Sequence, residues 1–85
     1  MIEFKNLNVL ITGGLGFIGS NLAENLVKYG SYVTCVDSLI PEYGGNTYNV
    51  SEIKSKIDIN IADIRDQFSM NHIVNDKDII FNLAG

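Results

Sequence analysis

The chain has no tryptophan, one cysteine, one proline and one histidine, and each scarcity excludes something. A lone cysteine, Cys35, cannot close an internal disulfide, which fits a reducing compartment, with the cytoplasm as the expected one. One histidine and one cysteine cannot build a His/Cys metal centre, so no metal ligands are assigned. Basic residues are also few, 6 Lys and Arg against 10 Asp and Glu, for a net charge of −4. Lys5, Lys28, Lys54, Lys56, Arg65 and Lys77 are scattered rather than clustered, so nucleic acid is not an expected partner. The longest uncharged stretch, Asn6 to Ala23, is broken by Asn6, Asn8, Thr12, Ser20, Asn21 and 4 glycines. It lacks the roughly 20 continuous apolar residues of a bilayer helix. No small-residue cleavage site follows it, so neither a membrane nor a secretory signal is expected.

What remains is ordinary globular material, 46% hydrophobic and 19% charged, with no internal repeat. Eighty-five residues make one domain at most. A domain of that size buries only roughly 60–65% of the surface its unfolded chain exposes, so its stability is thin.

The most informative stretch is "LITGGLGFIG", residues 10 to 19. It can be read as G-x-G-x-x-G on Gly14, Gly16 and Gly19, or as G-x-x-G-x-x-G on Gly13, Gly16 and Gly19. "LNVLIT" leads into it as a short apolar run with the look of a strand buried on both faces. Ile18, Leu22 and Leu26, with Ala23 and Val27, then mark one face of a helix running to about Tyr29, which Gly30 ends by taking positive φ.

"SYVTCVD" is a second strand with Asp37 at its carboxyl end. "SLIPEYGGNT" is loop, and a short helical piece is expected around Tyr48 to Lys54. Ile57, Ile59 and Ile61 alternate in a third strand. Asp66 can cap a helix whose face is Met70, Ile73 and Val74 and which ends near Asn75. "DIIFNLAG", Asp78 to Gly85, is the fourth strand. Strands alternating with helices imply a parallel sheet, the first half of a doubly wound α/β Rossmann fold, with strand order 3-2-1-4.

A turn between a buried strand and a helix N-terminus presents unpaired backbone N–H groups at the positive end of the helix dipole. A pyrophosphate would satisfy them, with Gly13 at the turn, Gly16 at the close approach, Gly19 at the helix packing and Phe17 and Ile18 as donors. A glycine triplet alone also fits a tight βα turn with no ligand. Asp37 adds context. It follows Gly19 at near the spacing of about 20 residues at which an acidic side chain meets the adenosine ribose hydroxyls. The alternative is a turn residue at a strand end. That carboxylate would repel a 2′-phosphate, and no Arg or Lys stands between Ser38 and Thr47, so NAD is favoured over NADP. The loop from Leu39 to Asn46 is expected near the adenosine.

"TGGLGFIG", "VDS", "ADIRD" and "NLAG", in that order, resemble the N-terminal half of the extended short-chain dehydrogenase/reductases. Within that superfamily they are most similar to the NAD-dependent nucleotide-sugar epimerases and dehydratases. The resemblance covers nearly the whole chain and implies the register anchored on Gly13. It implies that Asp63 receives the exocyclic amine of adenine and that the Ile64 backbone N–H meets a ring nitrogen. It also implies that Leu83, Ala84 and Gly85 lie beside the cofactor. The candidate NAD-binding set is therefore Gly13, Gly16, Phe17, Ile18, Gly19, Asp37, Ser38, Asp63, Ile64, Leu83, Ala84 and Gly85.

Two departures from the family pattern matter. Many relatives have histidine where Asn82 stands. The family's catalytic tyrosine is followed four positions later by lysine, whereas Tyr29, Tyr32, Tyr43 and Tyr48 are followed there by Val33, Val36, Thr47 and Glu52. No catalytic residue is assigned. Residues 1 to 85 then form a partial NAD-binding Rossmann domain, without the catalytic and sugar-nucleotide parts, and the fragment alone is expected to be inactive.

His72 is expected to be exposed and functionless, Cys35 a small buried hydrophobe, and Arg65 a surface ion-pair partner. Glu24, Glu42, Glu52, Asp76 and Asp78 read as solvated charges. The intact protein is expected to take a nucleotide-sugar substrate. The fourth strand would be an open edge through which the chain self-associates. The rival reading is a free-standing, non-catalytic dinucleotide-binding module for redox sensing or interaction. FAD or S-adenosylmethionine at the same loop is a third.

Overall fold

The computed structural model describes residues 3–38, 50 and 53–84. Four strands form one parallel sheet in the order β3-β2-β1-β4, from β1 (Asn8–Thr12), β2 (Tyr32–Asp37), β3 (Ile57–Ile61) and β4 (Ile79–Asn82). Helix α1 (Phe17–Lys28) connects β1 to β2, and α2 (Gln67–Val74) connects β3 to β4. This is the expected half of a Rossmann fold.

The central position of β1 follows from its composition. Val9, Leu10 and Ile11 are fully buried, as a run covered on both faces requires. Alternation sends Val9 and Ile11 to one face of the sheet, where they join Val33, Cys35, Leu15, Ala23 and Leu26 in the core beneath α1. Leu10, Thr12, Thr34 and Val36 turn the other way. On that side a cleft of about 400 Å³ separates α2 from β2 and β3, with Thr34, Asp58, Asn60, His72 and Lys77 among its lining residues. No described residue of α2 is buried, so Met70, Ile73 and Val74 form a half-covered face rather than a core seam.

The helix ends follow local chemistry. Gly30 has φ +88 and donates its N–H to the Val27 carbonyl at 3.0 Å, while Ser31 N–H reaches Leu26 at 3.0 Å, closing α1. Asp66 caps α2, accepting from Ser69 N–H at 3.3 Å and from its hydroxyl at 2.9 Å. Both hydrogen bonds hold the Asp66 carboxyl below its ordinary range.

Some expectations are corrected. Strand β4 stops at Asn82, opposite Thr12 where β1 itself ends, with a last bond from Leu83 N–H to the Thr12 carbonyl. The helical piece expected at 48–54 lies largely outside the described residues, and a 3₁₀ turn stands at Lys54–Lys56. Asp78 is more than a solvated charge. Its Oδ2 accepts the Asn8 N–H at 2.7 Å, and its own N–H donates to the Asn8 carbonyl at 2.7 Å, stitching the start of β1 to β4. Glu42, Glu52 and the loop at 39–46 lie outside the described residues.

Candidate functional site

The strands all point their carboxyl ends at one edge of the sheet, and the glycine turn sits there between β1 and α1. Gly13 N–H donates to the Val36 carbonyl at 2.7 Å, so the turn begins attached to the end of β2. Gly13 has φ +71, and a β-carbon there would lie 3.0 Å from the Ala84 nitrogen and the Leu83 carbonyl carbon. Only glycine suits both the dihedral and the approach of the β4 end. A β-carbon on Gly19 would run into the Gly13 carbonyl oxygen, so this position sets how closely α1 rests on the turn.

The two glycine registers separate in space. Gly14 is buried, and a β-carbon on it would meet Cys35 on β2 at 2.5 Å. Gly13, Gly16 and Gly19 instead line an open cleft. Gly14 therefore serves sheet packing, and the register anchored on Gly13 is the one that faces outward.

Gly16 is the N-cap of α1 and brings no side chain to cap it, nor is there an acidic residue in the first turn. The first helical hydrogen bond runs from Ser20 N–H to the Gly16 carbonyl at 2.9 Å. The N–H groups of Phe17, Ile18 and Gly19 precede it and have no acceptor within the helix. Phe17 and Ile18 are 76% and 72% exposed, and both line the cleft.

Asp37 ends β2 beside this turn. Its Oδ2 accepts the backbone N–H of Leu15 at 3.1 Å, tying the carboxylate to the glycine loop. Leu15 is fully buried beneath, so the loop is pinned from below by packing and from the side by a charge-assisted bond. Cys35, one turn of the pleat earlier, has its thiol pushed up to about 12 by burial and secondarily by the Asp37 charge.

After β3, Ala62 N–H bonds to the Asp37 carbonyl at 3.1 Å, bringing the "ADIRD" turn against the end of β2. Asp63 receives Arg65 through a backbone N–H at 2.8 Å and a guanidinium nitrogen at 2.6 Å. These bonds lower its carboxyl to about 2. At the β4 end, the Thr12 hydroxyl donates to Asn82 Oδ1 at 2.5 Å.

The cleft enclosed by these segments has a volume of about 600 Å³. Gly13, Gly16, Phe17, Ile18, Gly19, Asp37, Ser38, Asp63, Ile64, Leu83 and Ala84 all line it. Gly85 lies outside the described residues. Val36, Ala62 and Arg65 also line it and were not in the candidate set. Val36 and Ala62 flank candidates, but neither has a chemical signature of its own. Arg65, expected as a surface ion-pair partner, does pair with Asp63 at an exposed position and also borders the cleft. His72 is exposed and borders the other cleft. Among the described residues no group of His, Cys, Asp and Glu could hold a metal ion, and no helix is long and apolar enough to cross a membrane.

The family model for GDP-mannose 4,6 dehydratase matches residues 10–85. The chain belongs to the GDP-mannose 4,6-dehydratase family. The resemblance to the extended short-chain dehydrogenase/reductases of nucleotide-sugar metabolism is thereby confirmed. The chain is 48% identical over 75 residues to UDP-N-acetyl-alpha-D-glucosaminuronate decarboxylase of Bacillus cytotoxicus, covering 88% of this chain and 22% of that protein. It is 31% identical over 78 residues to dTDP-L-rhamnose 4-epimerase of Burkholderia thailandensis, covering 89% and 22%. Among solved structures, it superposes with a TM-score of 0.85 and 32% identity on epimerase Mth375 of Methanothermobacter thermautotrophicus, over 96% of this chain and 24% of that one. The Bordetella bronchiseptica enzyme WbmF, solved in complex with NAD+, matches with a TM-score of 0.83 and 30% identity over 98% and 24%. This member of the family thus spans less than a quarter of the length of these relatives.

Proposed function

We propose that the chain is the adenosine-and-pyrophosphate-binding part of an NAD-dependent nucleotide-sugar epimerase or dehydratase. The observation that carries this reading is the cleft at the carboxyl edge of the sheet. It gathers Gly13, Gly16 and Gly19, the N-terminus of α1, Asp37 and the Asp63–Ile64 turn around one volume.

The residues fit a dinucleotide. Pyrophosphate oxygens accept from the Phe17 and Ile18 N–H groups, with the α1 dipole behind them. The absence of side chains at Gly13 and Gly16 lets the ligand reach the backbone. Asp37 accepts from the ribose diol and disfavours a 2′-phosphate by charge, which selects NAD over NADP. Asp63 would accept from the exocyclic amine of adenine and the Ile64 N–H would donate to a ring nitrogen, while Leu83 and Ala84 would lie beside the cofactor. In the intact enzyme these residues would hold NAD, which would supply a reversible hydride acceptor for the sugar ring.

No Tyr-x-x-x-Lys occurs in the sequence, so these 85 residues bind without turning over. The partners of the intact protein are its nucleotide-sugar substrate and, for a chain with β4 as a sheet edge, a second copy or a further segment against that edge. Parallel titration of NAD, NADP, FAD and S-adenosylmethionine by calorimetry tests the reading. NAD alone binding in the micromolar range, and lost in Gly19→Ala, is the expected result. Binding of S-adenosylmethionine or FAD in preference to NAD overturns it.

A further inference from the structure

The sequence contains one arginine, and it lies on the cleft wall. Arg65 is two residues from Asp63 and holds that carboxylate in two ways. Its backbone N–H donates to Asp63 Oδ1 at 2.8 Å. Its Nε is shared between Oδ1 at 3.0 Å and Oδ2 at 3.1 Å, and its Nη2 donates to Oδ2 at 2.6 Å. The turn beneath is closed by Asp66 N–H on the Asp63 carbonyl at 2.9 Å, and Asp66 in turn caps α2. Main chain, helix cap and guanidinium thus all fix the direction in which the Asp63 carboxylate faces.

A surface ion pair between long, mobile side chains contributes little to stability. Here the Arg65 side chain is 85% exposed and the Asp63 side chain 42% exposed, so stability is a poor account of the geometry. A functional account is better. Three N–H groups make four contacts to the carboxylate, two on each oxygen, and because Nε is shared between the two oxygens a further donor can be received when Nε settles on one of them. An ionised carboxylate only accepts. A purine carrying an amine at the facing position donates to it, and a purine carrying a carbonyl there sets oxygen lone pairs against it.

Resting on the dinucleotide reading above, we propose that Arg65 is a positioning residue for base specificity. It holds the Asp63 carboxylate as a fixed acceptor, so that the cleft takes a 6-amino purine and rejects a 6-oxo purine. The Arg65 side chain acts through Asp63 rather than on the base.

The test compares dissociation constants of NAD and nicotinamide hypoxanthine dinucleotide on the intact protein, for the wild type, Arg65→Ala and Arg65→Lys. The wild type is expected to prefer NAD by about tenfold, the order of one charge-assisted hydrogen bond. In Arg65→Ala that ratio falls severalfold, mostly through weaker NAD binding, and Arg65→Lys restores part of it. Circular dichroism confirms that each variant is folded, and Asp63→Asn, which can present either end of its amide, is expected to abolish the preference. A wild-type preference that Arg65→Ala leaves unchanged overturns the role of Arg65. Equal wild-type binding of the two dinucleotides overturns base selection by Asp63, and binding of neither refutes the dinucleotide reading itself.

Discussion

Gly14 packs directly against Cys35: a β-carbon on the glycine would stand 2.5 Å from the cysteine Cβ and 2.7 Å from its Sγ. The contact joins the glycine turn to the middle of β2. It explains why a residue inside the glycine run has nothing to do with the cleft. Gly14→Ala is therefore expected to act as core overpacking, destabilising the fold by about 1–3 kcal/mol. Cys35→Ala, which removes Sγ but keeps the closer Cβ, gives only partial relief, while Cys35→Gly removes both atoms and couples positively with Gly14→Ala in a double-mutant cycle. Urea unfolding of the four proteins measures it, and strict additivity would refute the contact.

The Asp37 carboxylate accepts the Leu15 N–H at 3.1 Å, so one side chain both faces the cleft and braces the glycine turn. Substitutions separate the two tasks. Asp37→Asn keeps an acceptor for Leu15 and is expected to retain most of the stability, while NAD affinity falls about tenfold with loss of the charged acceptor for the ribose diol. Asp37→Ala removes both, with a further loss of about 1–3 kcal/mol of stability for the vacated bond. Calorimetric titration together with thermal unfolding checks both. Equal stability of the two variants would show that the brace is dispensable.

The elements that were legible in the sequence are those written in local pattern. The run Val9 to Ile11 has no polar interruption and is the central strand; Gly30 and Asp66 mark helix ends through backbone φ and capping, which need no distant partner. The relationships that were not legible depend on strand register. Ile11 lies opposite Cys35 and Thr12 opposite Asn82, and only that alignment brings Gly14 onto Cys35 and the Thr12 hydroxyl onto Asn82. Asp78 looked like a surface charge for the same reason, since its partner Asn8 is 70 residues away. Most of the cleft was legible because its motifs each occupy a strand end, and parallel strands deliver their carboxyl ends to one edge. Arg65 was not, because its part in the cleft comes from the turn that points it at Asp63.

Cys35 is fully buried and its thiol is raised to about 12, first by burial and then by the Asp37 charge. Thiolate is the reactive form, so the native protein should be inert to iodoacetamide at about pH 8. Reaction should proceed only through unfolding, and its rate at rising urea should follow the population of unfolded chain. Mass spectrometry of the alkylated fraction reads it out. Rapid labelling without denaturant would show that β2 opens locally.

The acid side of the stability curve tests the "ADIRD" turn. Asp63 is lowered from 3.8 to about 2, chiefly by its side-chain hydrogen bond to Arg65. Asp66 is lowered as well, chiefly by its side-chain hydrogen bond from Ser69. A carboxyl depressed in the folded state binds fewer protons there than in the unfolded chain. Its contribution is therefore complete above its unfolded pKa and is lost as pH falls through the folded one. For Asp63 that window runs from 3.8 down to about 2. Thermal midpoints measured from about pH 5 to pH 2 should fall less steeply in Asp63→Asn than in the wild type, and Asp66→Asn should flatten the same limb. Arg65→Ala should reproduce the Asp63→Asn slope, since it removes the principal cause of the Asp63 shift. If all these variants track the wild type in parallel, the bonds that Asp63 and Asp66 accept contribute nothing measurable to stability, as solvent screening of exposed groups would produce.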